Sequence, residues 1–526
     1  MQLTKIGKEQ RIVQNRSSGI LLHVSSLPGK FGIGDLGKNA YAWVDFLDKT
    51  GTQYWQILPL NPTGYGNSPY QGLSAFAGNP LFIDPLGLVQ SGLLPKADLS
   101  NTLDFPTHKV DFGRVNKWKQ NIFKKAYTTF NNKKPDAFTK KYDAFQKQNS
   151  NWLDDFALFM ALRENNRSIC WSDWPKPYRL RDTQAIQDFA QKNANAIGYH
   201  KFLQFIFSQQ WTALKAYANN KGIKIIGDIP IFIGFNSADV WSRPELFELN
   251  EDREPSAVAG VPPDFFSKTG QLWGNPLYDW QVHKKTNYAW WIDRIKETLK
   301  TVDVIRIDHF RGFAGFYRIP AGSKTAENGK WVDGPGAHFF ETVRSDIGDL
   351  PFIAEDLGVI TPDVIALREQ FGLPGMRILQ FAFSGNADNI YLPHTYPGNC
   401  VAYTGTHDSD TAKSWYAHAP KNEKQFCASY LGGHTKNIAR EMIRAIWCSN
   451  ANTAIAPMQD FLQLGGRARM NIPATTERNW EWRMGPDSLT QALASWIKEI
   501  NITYNRITSD KNWSADEYFQ SKTQNT

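Results

Sequence analysis

Four acidic residues stand at or just past the ends of short β-type runs: Asp228 closing KIIGD, Asp308 closing VDVIRID, Glu355 closing PFIAE, and Asp408 beyond CVAYT. Arg306 lies two residues before Asp308, His309 follows it directly, and His407 precedes Asp408. A helix cap or a surface ion pair explains any one of these acids alone. Four unpaired carboxylates converging on one place would repel one another, so a set at equivalent strand ends speaks for chemistry. Along a strand, residues two apart share a face, so Arg306 points the same way as Asp308 and can keep it ionised. The chemistry that needs several carboxylates and no metal is glycoside transfer: one carboxylate attacks the anomeric carbon, and a protonated carboxyl group protonates the leaving oxygen. A third anion can orient the sugar hydroxyls. A metal site built from THDSD (His407, Asp408, Asp410) and His309 is the competing reading, without an HExxH or other regular ligand spacing.

Such acids need strands that end together. Eight β-type runs recur, at 19–23, 53–58, 224–228, 302–308, 351–355, 376–381, 400–404 and 453–457, with helical patterns between many of them. The clearest is TPDVIALREQFG, with Thr361 as N-cap, Pro362 in the first turn, apolar Val364, Leu367 and Phe371, and Gly372 as stop. Eight strands with interleaved helices predict a (β/α)8 TIM barrel, with a doubly wound open sheet as the rival. The whole of 1–526 reads as one catalytic barrel unit. The stretch 60–223 is too long for a single crossover and predicts an inserted, mainly helical subdomain. A second insertion, 235–278, is rich in Gly, Pro and aromatics and predicts a loop-rich lid over the barrel mouth. About seventy residues follow the eighth strand, too few for a C-terminal β-sandwich domain.

Composition narrows the function classes. Hydrophobic residues at 41% and charged residues at 21% of 526 describe an ordinary globular chain, not a disordered or fibrous one. No apolar run approaches a membrane span, no apolar signal is visible in MQLTKIGKEQRIVQNRSSG, and four cysteines without a CxxC pair suit a reducing cytoplasm. The net charge of +8 raises nucleic acid as a partner. Its densest source, Lys117 to Lys141, alternates lysine pairs with Trp118, Ile122, Phe123 and Phe130, which is the pattern of a solvated amphipathic helix face. With 19 Trp, 19 Tyr and 33 Phe the chain has aromatic rings to spare, and sugars stack on such rings through their C–H faces. Gly32-Ile-Gly34-Asp-Leu-Gly37 matches GxGxxG but follows a loop containing Pro28, so it predicts a turn into the first helix, not a dinucleotide site. Ser68 in GYGNSPYQG lacks the GxSxG context of a serine hydrolase.

RIDHFRGF (Arg306–Phe313) and IAEDLG (Ile353–Gly358) make a family resemblance visible, carried further by GILLHVSSLPGKFGIGDLG, LPLNPTGYGNSPYQGLSAFAGNP, VAGVPPDFFSKTGQLWGNPLYDW, YTGTHDSDT and RMNIPATTERNW. From about Ser18 to the last helices the chain resembles the 4-α-glucanotransferases, or amylomaltases, of glycoside hydrolase family 77 in the α-amylase clan. The resemblance implies transfer of α-1,4-glucan segments to a glucan or glucose acceptor, with no cofactor and no metal. It implies Asp308 as nucleophile, Glu355 as acid and base, and Asp408 as the third carboxylate, with Arg306 and His407 assisting and Asp228 at the other acidic position. Tyr65 resembles a ring stacked on the sugar at the cleavage point, Trp273 and Asp264 resemble acceptor-side and donor-side cleft residues, and Asn471 a rim residue. Departures fall at Ser409, at the Ser414-Trp415-Tyr416 run, and at Ala474 and Arg478, where two glycines are usual. A hydrolase of the same clan and a catalytically silent glucan-binding protein are the alternative readings.

Overall fold

A computed structural model describes residues 16–100, 103–263, 267–507, 518 and 520. Eight parallel strands lie side by side in the order β10 (Gly375–Ile378), β11 (Cys400–Tyr403), β12 (Thr453–Pro457), β1 (Ser17–Leu21), β2 (Tyr54–Gln56), β3 (Lys224–Pro230), β6 (Val304–Asp308), β9 (Phe352–Ala354). Ala354 N–H donates to the carbonyl of Pro374 at 2.9 Å, which brings β9 against β10 and closes the ring. The eight runs read from the sequence are these eight strands, and the fold is a (β/α)8 barrel. β1, β11 and β12 are buried at every residue, as parallel strands covered on both faces must be. Gly19 marks how tightly they pack: a Cβ there would lie 2.9 Å from the Tyr54 Cβ.

The GxGxxG stretch is a turn. Gly32 takes φ +81°, and a Cβ on Gly34 would fall 1.8 Å from the Val24 carbonyl oxygen, so the glycines serve a close backbone approach before the helix Lys38–Thr50. The helix Pro362–Gln370 begins with proline in its first turn and buries Val364 and Leu367, although the Thr361 hydroxyl makes no capping bond.

Between β2 and β3 stand the helices Phe112–Lys133, Asp136–Gln148, Ser150–Asn165 and Ala194–Asn220. Aromatic contacts join them, with Phe130 5.3 Å from Phe202 and Phe138 5.0 Å from Phe205 between ring centroids. The last of these helices also covers the barrel: Trp211 packs 6.2 Å from Trp55 of β2, and its Nε1 donates to Thr301 O at 2.8 Å. One helix therefore both completes the helical region and serves as the crossover into β3. The lysine pairs at 124–125, 133–134 and 140–141 are exposed while Trp118, Ile122, Phe123 and Phe130 are buried, which is the solvated face predicted. Lys119 departs from that pattern. Fully buried, it donates to Leu81 O at 2.6 Å and Ile83 O at 2.8 Å and ties the helix to the barrel's edge.

The stretch read as a loop-rich lid contains two strands, β4 (Ala257–Val261) and β5 (Gln271–Pro276). They join β7 (Gly315–Pro320) and β8 (Lys330–Asp333) in an antiparallel sheet of order β5-β4-β7-β8. Half of that sheet comes from the segment after Asp308: β4 with β5 and β7 with β8 pair locally, but the β4–β7 pairing that joins the two halves is non-local. After β12 the helix Gln491–Thr503 returns to the barrel wall, where Asn501 donates to Thr50 O at 2.9 Å and accepts from Trp447 Nε1 at 2.7 Å. Among the described residues no second β-domain follows. No helix among them is long and apolar enough to cross a membrane.

Candidate active site

The register of β3 against β6 pairs Asp228 with Arg306 and Pro230 with Asp308. Arg306 is 3% exposed, and its Nη1 donates to both oxygens of Asp228, at 2.9 and 2.7 Å, and lies 2.9 Å from Oδ1 of Asp308. The sequence expectation that Arg306 and Asp308 share a face holds. Burial works against the guanidinium charge, but Asp228 and then Asp308 outweigh it and hold its pKa well above the ordinary value. The two acids differ in access: the Asp228 side chain is 0% exposed and that of Asp308 28%. Asp228 is the fixed counter-charge of the arginine, and Asp308 is the carboxylate that faces the cleft.

Glu355 follows β9. Its Oε2 accepts from His309 N–H at 2.7 Å and its Oε1 from Leu357 N–H at 2.9 Å. His309 reaches this geometry with φ 53°, a left-handed conformation that costs a non-glycine residue about 1 kcal/mol or more. Burial pushes the Glu355 carboxyl up to about 8, against the pull of Arg306 and with the push of Asp308. Burial also raises Asp308, but Arg306 opposes it and the value is about 6. The Glu355 carboxyl is thus pushed further toward its protonated form than Asp308, an inequality of the kind that acid–base chemistry at an acetal carbon uses.

Asp408 sits in the loop after β11 with its side chain 45% exposed. Asn471 Nδ2 donates to its Oδ1 at 2.6 Å, Arg469 Nη2 donates to its carbonyl at 2.6 Å, and His407 Nε2 stands 3.4 Å from its Oδ2. Asn471, expected at the rim, is thus the direct holder of the third carboxylate. Ser409, one of the departures, accepts from Thr406 N–H at 2.9 Å and closes the turn that presents His407 and Asp408. Ala474 and Arg478 both adopt left-handed backbone, with φ of 61° and 60°.

Two tyrosines five residues apart differ in place. Tyr65 is 77% exposed. Tyr70 is the ring inside the site: its hydroxyl donates to Asp228 Oδ2 at 2.7 Å, and it stacks on His407 at 5.1 Å and 15°. Tyr70, Arg469 and Trp480, whose ring lies 5.8 Å from Tyr70 and 6.0 Å from His407, escaped the sequence reading. Tyr70 lies within the same GYGNSPYQG motif, but which tyrosine turns inward depends on the turn's conformation. Trp273, on β5, meets the ring of His309 edge-on at 4.8 Å, which puts the lid sheet against the residue that follows Asp308. Asp264 lies outside the described residues. Among the described residues no group of three or more His, Cys, Asp or Glu side chains is gathered in a way that could hold a metal ion.

A closed parallel barrel with these carboxylates and a buried arginine at its C-terminal mouth is a (β/α)8-barrel enzyme. The family described as 4-alpha-glucanotransferase, glycoside hydrolase family 77, matches residues 22–489, and the chain belongs to it and is an enzyme of that class. A 4-alpha-glucanotransferase of Clostridium butyricum is 48% identical over 490 residues, covering 92% of this chain and 100% of its own. The 4-alpha-glucanotransferase, chloroplastic/amyloplastic, of Solanum tuberosum is 43% identical over 94% of this chain and 87% of its own. The amylomaltase from Streptococcus agalactiae, solved in complex with acarbose, matches with a TM-score of 0.90 at 40% identity, over 94% of this chain and 100% of that one.

Proposed function

We propose that the enzyme moves α-1,4-glucan segments from a donor maltodextrin to the 4-hydroxyl of an acceptor glucan or glucose, by retaining double displacement. The observation that carries this reading is the unlike setting of two neighbouring carboxyls, Asp308 beside Arg306 and Glu355 held by two backbone N–H donors. In the first step a carboxylate oxygen of Asp308 attacks C1 of the donor glucose, the bond from C1 to the leaving 4-oxygen breaks, and Glu355 gives that oxygen its proton. In the second, the Glu355 carboxylate takes the proton of the acceptor's 4-hydroxyl, whose oxygen attacks C1 and releases Asp308. Two inversions restore the α configuration. The bond broken and the bond made are of one type, so the exchange is nearly energy-neutral and calls for no nucleotide.

Asp408 and His407 hold hydroxyls of the sugar at the cleavage point, with Asn471 steadying Asp408. Asp228 fixes Arg306, and Arg306 keeps Asp308 ionised. Tyr70 takes the stacking position that the family resemblance suggests for Tyr65. Trp273 offers its face to the acceptor sugar, and Asp264 serves the donor side. The helical region 60–223 and the lid 235–278 frame the cleft, and the enzyme works in the cytoplasm, on soluble maltodextrins or on starch or glycogen fragments. The amylomaltase solved with acarbose supports an oligosaccharide cleft.

Incubation with maltotriose tests the reading. Longer dextrins together with glucose are expected. Only smaller sugars would make the enzyme a hydrolase, and no change would leave a glucan binder.

A further inference from the structure

The segment from Thr404 to Ala412 leaves β11, carries His407 and Asp408, and enters the helix Ala412–His418. Asp460 lies outside this segment, on the helical turn Met458–Phe461 that follows β12, and is 1% exposed. Its Oδ2 accepts from Thr404 Oγ1 at 2.6 Å and its Oδ1 from Ala412 N–H at 2.7 Å. One buried carboxylate thus grips both ends of the segment. Between those ends, Gln380 Nε2 donates to Asp410 O at 2.8 Å.

A buried carboxylate is costly unless paired with a cation or fully hydrogen-bonded. Asp460 makes no ion pair among the described residues, and the two donors at the segment's ends are its hydrogen-bond partners there. A neutral side chain would close the packing at less cost. What the ionised group adds is two short, charge-assisted bonds, roughly twice as strong as neutral ones, aimed at the two hinges of a loop. Burial raises its pKa to about 6, while the bonds from Thr404 and Ala412 favour the anion. A pocket with about 20 Å³ of water-sized space, lined by His23, His407, Asp460 and Met470 among others, adjoins the segment and has room for about one water.

We propose that Asp460 is a positioning residue for glucan transfer: by clasping Thr404 and Ala412 it sets the height at which Asp408 meets the sugar. The proposal rests on the role given to Asp408 above. A displacement of about 1 Å in such a group can cost ~10²-fold in rate. The expected loss falls on kcat, because Asp408 acts on the sugar as it distorts toward the transition state, with KM little changed.

The test is a double-mutant cycle on maltotriose disproportionation, with melting temperatures recorded for every variant. Asp460→Ala should lower kcat by ~10²-fold, yet cost less than about twofold further in an Asp408→Asn background, since the residue it positions is already disabled. Asp460→Asn, which keeps an acceptor for Ala412 and can donate to Thr404 but loses the charge, should recover only part of kcat and fall between wild type and Asp460→Ala, again only where Asp408 is intact. Thr404→Val removes one arm with little change in volume and gives a smaller loss, again confined to the Asp408 background; it carries the test if Asp460→Ala does not fold. Equal losses with and without Asp408, or an Asp460→Ala enzyme with undiminished kcat, overturn the clasp. Asp408→Asn alone with undiminished turnover would instead remove the role of Asp408, and the ground for the clasp with it.

Discussion

The backbone N–H of His309 donates to Oε2 of Glu355 at 2.7 Å, so the residue that follows Asp308 in the chain holds the carboxyl that faces it from the neighbouring strand. The carboxyls of Asp308 and Glu355, proposed as nucleophile and acid, are linked through one peptide unit. Its conformation is the left-handed one at His309, with φ 53°. The strain is local and the benefit is a distance between two reacting groups that side-chain rotation alone does not set.

That pairing makes the two roles separable by substitution. Asp308→Asn should fold normally and lose at least ~10³-fold in turnover, because an amide cannot form the glycosyl ester. Glu355→Gln should lose ~10²–10⁴-fold on maltodextrins but keep its first step with α-glucosyl fluoride, whose leaving group needs little protonation. A substantial fraction of wild-type turnover in Asp308→Asn would overturn the assignment.

The pH profile of kcat/KM follows from the same pair. Asp308 must be ionised, so activity should fall as pH drops through about 6. Glu355 must hold its proton, so activity should fall as pH rises through about 8. The limbs belong to the coupled pair, and Glu355→Gln assayed with glucosyl fluoride should lose the alkaline limb and keep the acid one. Persistence of the alkaline limb would assign it to another group.

Tyr70→Ala should cut kcat/KM on maltotriose by ~10²-fold, since it removes both a ring beside His407 and a donor to a buried carboxylate. Tyr65→Ala should stay within about threefold of wild type, as expected for an exposed side chain. Reversed results would return the stacking role to Tyr65.

Water and sugar compete for the same glycosyl-enzyme, and transfer wins only if the cleft holds the acceptor in place. Trp273→Ala should therefore reduce transfer more than hydrolysis. Stacking worth about 1–2 kcal/mol would change the ratio of released reducing ends to transferred glucose by about five- to thirtyfold. Equal losses in both rates would assign Trp273 to the donor side or to the fold.

Ala474 and Arg478 hold left-handed backbone near Asn471. Glycine is free of the steric cost there, so Ala474→Gly and Arg478→Gly should each raise stability by up to about 1 kcal/mol, less what glycine adds to the entropy of the unfolded chain. Denaturant midpoints check this, and a clear decrease would show that the side chains make contacts worth more than the strain.

Much of this enzyme is determined by sequence alone. Parallel strands in a closed barrel all end at one mouth, so acids at the ends of KIIGD, VDVIRID and PFIAE, and one just beyond CVAYT, had to meet. The two-residue period of a strand put Arg306 on the face of Asp308. Those are short-range regularities, and eight strands and an arginine–carboxylate pair follow from them. The tertiary structure decided what depends on distant neighbours. It turned Tyr70 inward and left Tyr65 exposed, although both belong to one turn. It paired β4 with β7 across half a hundred residues of chain to make a sheet where composition suggested loops. It buried Lys119 within a run of exposed lysines, and brought Asp460 to both ends of the Asp408 loop. Above all, it gave Glu355 two backbone donors and Asp308 a guanidinium neighbour and pushed the first carboxyl further up than the second, because a carboxyl's pKa is set by how much water it has lost and which charges stand beside it, and neither is written in the order of the residues.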